Sequence, residues 1–213
     1  MLKTLMPSLT DLINADYKAI KNAETEQIIA QLLMGYTGVQ NPQLMQISGI
    51  PGAGKSTYCA THIKPNFLYL SFDKIMLMLK GYQNVLASEG IVAAYQRYEM
   101  TARIIGYEVL RRAINKKLNI LFEHSGTNNA HLELFKNLPK RGYKVMVNAI
   151  VCDIGLAINR AKERAEKTHR YVPEQLIIER AQNFEKYMSS YQKLSNQVTF
   201  LDGANNFMPL KKI

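Results

Sequence analysis

A chain of 213 residues with 47% hydrophobic composition is long enough for one α/β domain with a full core. It has no apolar run near the roughly 18 residues that a membrane span needs, so no membrane partner is expected. The balance of 27 Lys+Arg against 17 Asp+Glu leaves a net charge of +10, which favours anionic partners: nucleotides, sugar nucleotides, nucleic acid or an acidic protein.

Residues 1–40 read as helical, with "AETEQIIAQLLMGY" the clearest amphipathic segment. The opening "MLKTLMPSLTDLINADYK" has a proline-broken apolar patch and no small-residue cleavage site, a poor signal peptide. Cys59 and Cys152 read as buried small residues rather than a disulfide pair, and a reducing cytoplasm is the expected location. "LMQIS" (Leu44 to Ser48) reads as a buried strand, followed by "GIPGAGKST" and a helix beginning "STYCATHI".

That stretch fits G-x-x-x-x-G-K-[ST] at Gly49, Gly54, Lys55 and Ser56. Glycines at 49, 52 and 54 let backbone N–H groups converge on an anion, and the helix N-terminus adds partial positive charge. Residues Gly49, Ile50, Pro51, Gly52, Ala53, Gly54, Lys55, Ser56 and Thr57 are therefore the expected nucleotide-binding segment. Lys55 would reach the β- and γ-phosphates, and the Ser56 hydroxyl would ligate Mg²⁺.

Next comes a strand over 66–71, then "FDKIMLMLK" as a helix stopping near Gly81. A long helix follows, with an apolar stripe of Ile91, Ala94, Tyr95, Tyr98, Ala102, Ile105 and Val109. "NILFE" (119–123) is a strand, "NAHLELFKNL" a helix and 143–152 a strand. "DIGLAINRAKERAEK" is a helix capped by Asp153 with Ile154, Ile158, Ala161 and Ala165 inward, and Pro173 begins another. "QVTFLD" (197–202) is the last strand. Alternating strands and helices predict a doubly wound parallel sheet of about five strands with helices on both faces. The expected organisation is a single P-loop kinase-like domain over 1–213, with a core over 44–201. Asp73, Glu123 and Asp202, each just past a strand, are expected to share one crevice with the loop.

The sequence lacks the N-K-x-D guanine reader of GTPases, and its nearest Walker B equivalent ends in a single Glu123. A small phosphotransferase needs a carboxylate to accept the acceptor's proton and arginines to cover the transferring group. Asp73 suits the first role, although an N-cap would also use Asp. Arg160, Arg164 and Arg170 suit the second, on a helix–loop–helix lid near 153–173 that could close over the polyphosphate. A solvated face paired with Glu163 and Glu166 is the alternative reading of that run.

The succession "GIPGAGKST", "SFDKI", "LFEHSGT" and "RAKERAEKTHRYVPEQLIIERAQNF" resembles the zeta-toxin family of P-loop kinases, from about Thr25 to Leu201. The resemblance implies transfer of the γ-phosphate of ATP or GTP, with Mg²⁺, to a hydroxyl of a small anionic metabolite such as UDP-N-acetylglucosamine. It implies Asp73 as the base, Glu123 in the substrate or metal shell, Ser125 near the acceptor, and the lid arginines on the γ-phosphate. Spacing does not choose between Arg160 and Arg164. Founding members carry an arginine and threonines after the strand glutamate, where this chain reads "HSGTNN". A toxic member would need an antitoxin, here a small acidic protein. A polynucleotide 5′-hydroxyl kinase and a non-catalytic nucleotide switch are the rival readings.

Overall fold

The computed structural model describes residues 17–211, so the first part of the expected N-terminal helical region lies outside the described residues. A single turn, Tyr17–Ile20, leads to helix α1 (Ala23–Leu33). Its Asn22 cap accepts from the Thr25 N–H at 2.9 Å, while Thr25 Oγ1 accepts in return from the Asn22 N–H at 3.0 Å.

Strands β1 (Gln43–Ser48), β2 (Phe67–Ser71), β3 (Asn119–Glu123), β4 (Lys144–Val151) and β5 (Gln197–Asp202) form one sheet. Its order is β2-β3-β1-β4-β5, and every pairing is parallel. Alternate residues of each strand feed opposite faces. Ile120 and Phe122 join one core with Leu44, Leu70 and Val145, whereas Leu121 joins the other with Ile47 and Ile150. This two-sided burial explains why the central strands are near-continuously apolar.

The helices are α2 (Lys55–His62), α3 (Phe72–Met78), α4 (Lys80–Glu89), α5 (Ile91–Asn115), α6 (Asn129–Asn137), α7 (Ile154–Thr168) and α8 (Glu174–Leu194). Among the described residues, none is long and apolar enough to cross a membrane. The ladder aligns Ser71 with Glu123 and Glu123 with Ile47, so the carboxyl ends of β2, β3 and β1 form one edge. The chain steps from β3 on one side of β1 to β4 on the other, which opens a crevice at that edge.

Two expectations are corrected. Gly81 does not stop a helix: α3 breaks at extended Leu79, and Gly81 lies inside α4. A Cβ at Gly81 would fall 2.2 Å from the Tyr98 hydroxyl, so glycine there lets α4 and α5 pack closely. Ile154 is 41% exposed rather than inward, because the buried contact of α7 is made by the small residues Ala157 and Ala161. Pro173 stands at the N-cap of α8, where the new helix was expected to start. Asp153 does cap α7, accepting from the Leu156 N–H at 2.9 Å.

Gly106 in α5 faces Phe72, whose ring carbons lie 2.2 and 2.3 Å from where a Cβ would stand. Phe72 in turn packs on Tyr107, Phe122 and His124, with ring centroids 4.9, 5.5 and 5.8 Å away. In an open helix, glycine to alanine stabilises by about 1 kcal/mol. Gly106→Ala should do the reverse, lowering stability in urea unfolding by about 1–3 kcal/mol through overpacking. A raised midpoint would show that the Phe72 ring yields freely.

Candidate active site at the phosphate loop

The loop between β1 and α2 turns through Gly49, Gly52 and Gly54, with φ of 150°, 88° and 99°. A Cβ on Gly52 would stand 1.9 Å from the Ala157 carbonyl oxygen, so this glycine admits the first turns of α7 against the loop. Gly54 caps α2 without a side-chain bond, leaving the helix N-terminus open to an anion. Ile50, Pro51 and Ala53 are buried by packing, and Thr57 is exposed on α2. Any contact from Ile50, Pro51 and Ala53 to a nucleotide would therefore be made by backbone.

The Lys55 ammonium donates across the loop to the carbonyls of Gly49 at 2.8 Å and Ile50 at 3.0 Å. Burial lowers its pKa to about 8; nearby Arg164 and Arg180 add to the shift, and Glu123 and Asp73 oppose it.

Glu123, only 7% exposed, ends β3 beneath the loop. It accepts from the Ser56 hydroxyl at 2.7 Å and from the Tyr69 phenol. Burial and then the Glu123 charge push the Tyr69 pKa upward, so the phenol keeps its proton. Arg170 reaches into the same cluster: its Nη2 donates to Ser56 Oγ at 3.0 Å and Asp73 Oδ2 at 2.8 Å, and lies 3.7 Å from Glu123 Oε1. Asp73 is the second residue of α3 and makes no capping bond. Burial favours its protonated form, yet Arg170, Arg164 and Lys55 outweigh this and hold its carboxyl below the ordinary value.

The arginines divide by position. Arg164 Nε donates to the Arg170 carbonyl at 3.2 Å, while its buried Nη2 has no partner among the described residues, nor has Nε of Arg170. Arg160 points away, donating to the Gly203 carbonyl at 2.8 Å. Asp202 does not enter the crevice with Asp73 and Glu123. Its carboxylate accepts from the N–H groups of Ala204 and Asn205 at 2.8 and 3.2 Å, closing the turn after β5 at the sheet's outer edge. Cys59 and Cys152 are both free, as expected, with Cys59 buried and Cys152 half-buried.

Two spaces open from this cluster. A groove of about 570 Å³ runs past Gly54, Ser56, Thr57, Arg160, Arg170 and Phe207. A tighter cavity of about 70 Å³ is lined by Lys55, Asp73, Glu123 and Ser125 on one wall and by Tyr95, Glu99, Arg103 and Arg180 on another. Ser125 is buried; its hydroxyl accepts from Thr127 Oγ1 at 3.2 Å and its carbonyl accepts from the Gly49 N–H at 3.4 Å. His124 beside it is stacked on His131 at 3.8 Å and held neutral, burial and then His131 lowering its pKa.

The sequence reading gave no site role to Tyr69, Arg103, Arg180 or Phe207, although Arg180 lies in the run that carries the family resemblance. Tyr69 was hidden inside an apolar strand, and Arg103 beside the stripe of α5. Only the fold, which turns β2 and α5 toward the crevice, could have marked either one. Among the described residues, no group of three or more His, Cys, Asp or Glu is arranged to hold a metal. A metal would rest on the Ser56 hydroxyl, a neighbouring carboxylate and the ligand's own phosphates, the usual manner for Mg²⁺. The Arg170 guanidinium standing among those oxygens marks the spot as one that favours a cation.

A search of curated protein sequences found no match. Among solved structures, the chain resembles one from the PezAT chromosomal toxin–antitoxin system of Streptococcus pneumoniae, with a TM-score of 0.73 at 14% identity over 90% of this chain and 81% of that one. It also resembles the AvrRxo1-ORF1:-ORF2 structure with ATP, at a TM-score of 0.60 and 10% identity over 98% of this chain and 65% of that one. For the Pnkp1/Rnl/Hen1 RNA repair complex the TM-score is 0.51 at 17% identity, over 82% of this chain and 50% of that one. At such identities these likenesses establish the P-loop kinase-like fold. The zeta toxin family model matches residues 29–203, most of the chain, including Lys55, Asp73, Glu123 and the three arginines of the run over 160–170. The chain belongs to the zeta toxin family.

Proposed function

We propose that this protein is a phosphotransferase that moves the γ-phosphoryl group of ATP or GTP to a hydroxyl of a small anionic metabolite, a sugar nucleotide such as UDP-N-acetylglucosamine. The observation that carries this reading is the convergence of the Asp73 carboxylate, the Lys55 ammonium and two arginines with unpartnered buried donors, Arg164 Nη2 and Arg170 Nε. Buried donors without partners are costly unless an anion satisfies them.

In this reading the glycine loop and the N-terminus of α2 hold the β-phosphate, and Lys55 leaves its two carbonyls to clamp the β- and γ-oxygens. Asp73, ionised and freed from Arg170, accepts the proton of the acceptor hydroxyl as oxygen attacks phosphorus in line. Arg164 and Arg170 neutralise charge spreading over the transferring group. Ser56, with Glu123 behind it, would hold Mg²⁺, which when bound draws charge from the phosphate oxygens. Arg160 is bonded to the loop after β5 and serves better to fix α7 over the groove. The kinship with a toxin–antitoxin system and with a two-component ORF1:-ORF2 structure supports an antitoxin partner, and the net charge of +10 suits a small acidic one.

A polynucleotide 5′-hydroxyl kinase is the second reading, favoured by the same charge and by the likeness to an RNA repair complex. The gathering of Lys55, Asp73, Arg103 and Arg180 around one confined space speaks for a small anionic acceptor instead. Radiolabelled transfer should therefore mark a sugar nucleotide or similar metabolite with modest salt dependence. Transfer to RNA or DNA 5′ ends, with affinity lost by about 10³-fold or more between 50 and 200 mM salt, would favour the nucleic-acid reading.

Asp73→Asn should reduce transfer by about two to four orders of magnitude while nucleotide affinity, followed by thermal shift, stays nearly unchanged. Wild-type turnover in that variant would remove Asp73 from the chemistry.

A lysine with a pKa of about 8 is partly neutral in mildly alkaline solution. A bound polyphosphate favours its charged form, so nucleotide binding at pH 8.5–9 should take up a proton, and affinity should weaken as pH rises through about 8. Calorimetry in buffers of different ionisation enthalpy reads the uptake, which Lys55→Met should abolish. Equal uptake in both proteins would assign the proton elsewhere.

A further inference from the structure

We propose that Arg180 anchors a phosphate or diphosphate group of the acceptor, setting the acceptor's anionic end against α5 and α8 while its hydroxyl faces Asp73. The inference rests on the phosphotransferase reading above and names a residue and a ligand group that it does not require.

Arg180 and Arg103 meet on one wall of the tight cavity whose other wall carries Asp73 and Lys55. Their surroundings differ. Arg103 is paired with Glu99, one turn earlier on α5. Arg180 has no hydrogen-bonded carboxylate among the described residues; Asp73 and Glu99 act on it only through space. Burial, and then the like charge of Arg103, hold its pKa below the ordinary arginine value. The wall thus carries two guanidinium groups against one paired carboxylate, a surplus of one half-buried positive charge. A partly desolvated cation without a paired counterion is complemented by an anion that a ligand supplies.

The neighbours narrow the ligand. Tyr95, whose pKa burial raises to about 12, stays protonated and can donate a hydrogen bond beside the guanidinium. His124 is neutral and adds no charge. Arg180 is also near enough to lower the pKa of Lys55, so its field extends along the cavity toward the phosphate loop. A planar fork beside a phenol donor suits a tetrahedral oxyanion better than a neutral sugar face.

The test uses the full-length protein with the phosphate loop saturated by Mg–AMP-PNP, and inorganic pyrophosphate as the probe of the second site. Wild type should bind pyrophosphate on top of AMP-PNP. Arg180→Gln should weaken that binding at least tenfold with AMP-PNP affinity unchanged, Arg180→Lys should restore part of it, and unliganded Arg180→Gln should melt at or above the wild-type temperature. Unchanged pyrophosphate affinity in Arg180→Gln would overturn the inference and leave the kinase reading standing. So would a lower melting temperature in both variants with pyrophosphate binding intact, since Arg180 would then be a packing residue. Failure of wild type to bind AMP-PNP would instead sink the phosphotransferase reading and this one with it.

Discussion

The crevice is organised around Arg170, a single guanidinium, 11% exposed, held by Asp73 Oδ2 at 2.8 Å and Ser56 Oγ at 3.0 Å with Glu123 Oε1 at 3.7 Å. Two carboxylates turned toward one spot repel each other unless a cation stands between them. Arg170 supplies that cation, and in doing so it joins three separate elements: α3 through Asp73, α2 through Ser56 and β3 through Glu123. The interaction therefore sets both the electrostatics and the shape of the site. It also makes the site convertible, because a metal and a polyphosphate offer the same oxygens and the same arginine an alternative set of partners.

A sharp reversal after α7 brings Arg170 back to the sheet edge. Helix α7 ends at His169, a non-glycine residue in the left-handed region at φ 54°, and its N–H still bonds the Ala165 carbonyl at 3.1 Å. Such a conformation is unfavourable for a side chain with a Cβ and persists where the surroundings fix it. Here the Tyr82 hydroxyl donates to the His169 carbonyl at 2.6 Å, and Arg164 Nε donates to the Arg170 carbonyl at 3.2 Å. The reversal is thus pinned from α4 on one side and from the lid's own helix on the other.

Glycine placement couples the lid to the loop below it. Gly52 leaves room for the Ala157 carbonyl, and Ala157 and Ala161 keep the contact face of α7 small. The result is a helix that rests on the phosphate loop itself rather than on a layer of large side chains.

How much of this could be read beforehand differs residue by residue. The glycines at 49, 52 and 54, the lysine and the serine are local in sequence, and their chemistry depends on neighbours within a few residues; the phosphate loop was legible for that reason. Alternating apolar strands and amphipathic helices likewise specify a parallel sheet covered on both faces, since each element declares its own buried side. Asp202 failed because a carboxylate after a strand has the same sequence signature whether it faces a site or closes its own turn, and only the sheet order puts β5 at the far edge. The choice among Arg160, Arg164 and Arg170 could not come from spacing, because which guanidinium reaches the crevice depends on where α7 ends and how sharply His169 turns. Arg103 and Arg180 lie 77 positions apart, on helices whose apolar faces say nothing of each other. The sequence by itself determined the phosphate loop, the alternating α/β order and the candidate base; the tertiary structure decided which charges meet, because long-range pairing is set by packing that no local pattern encodes.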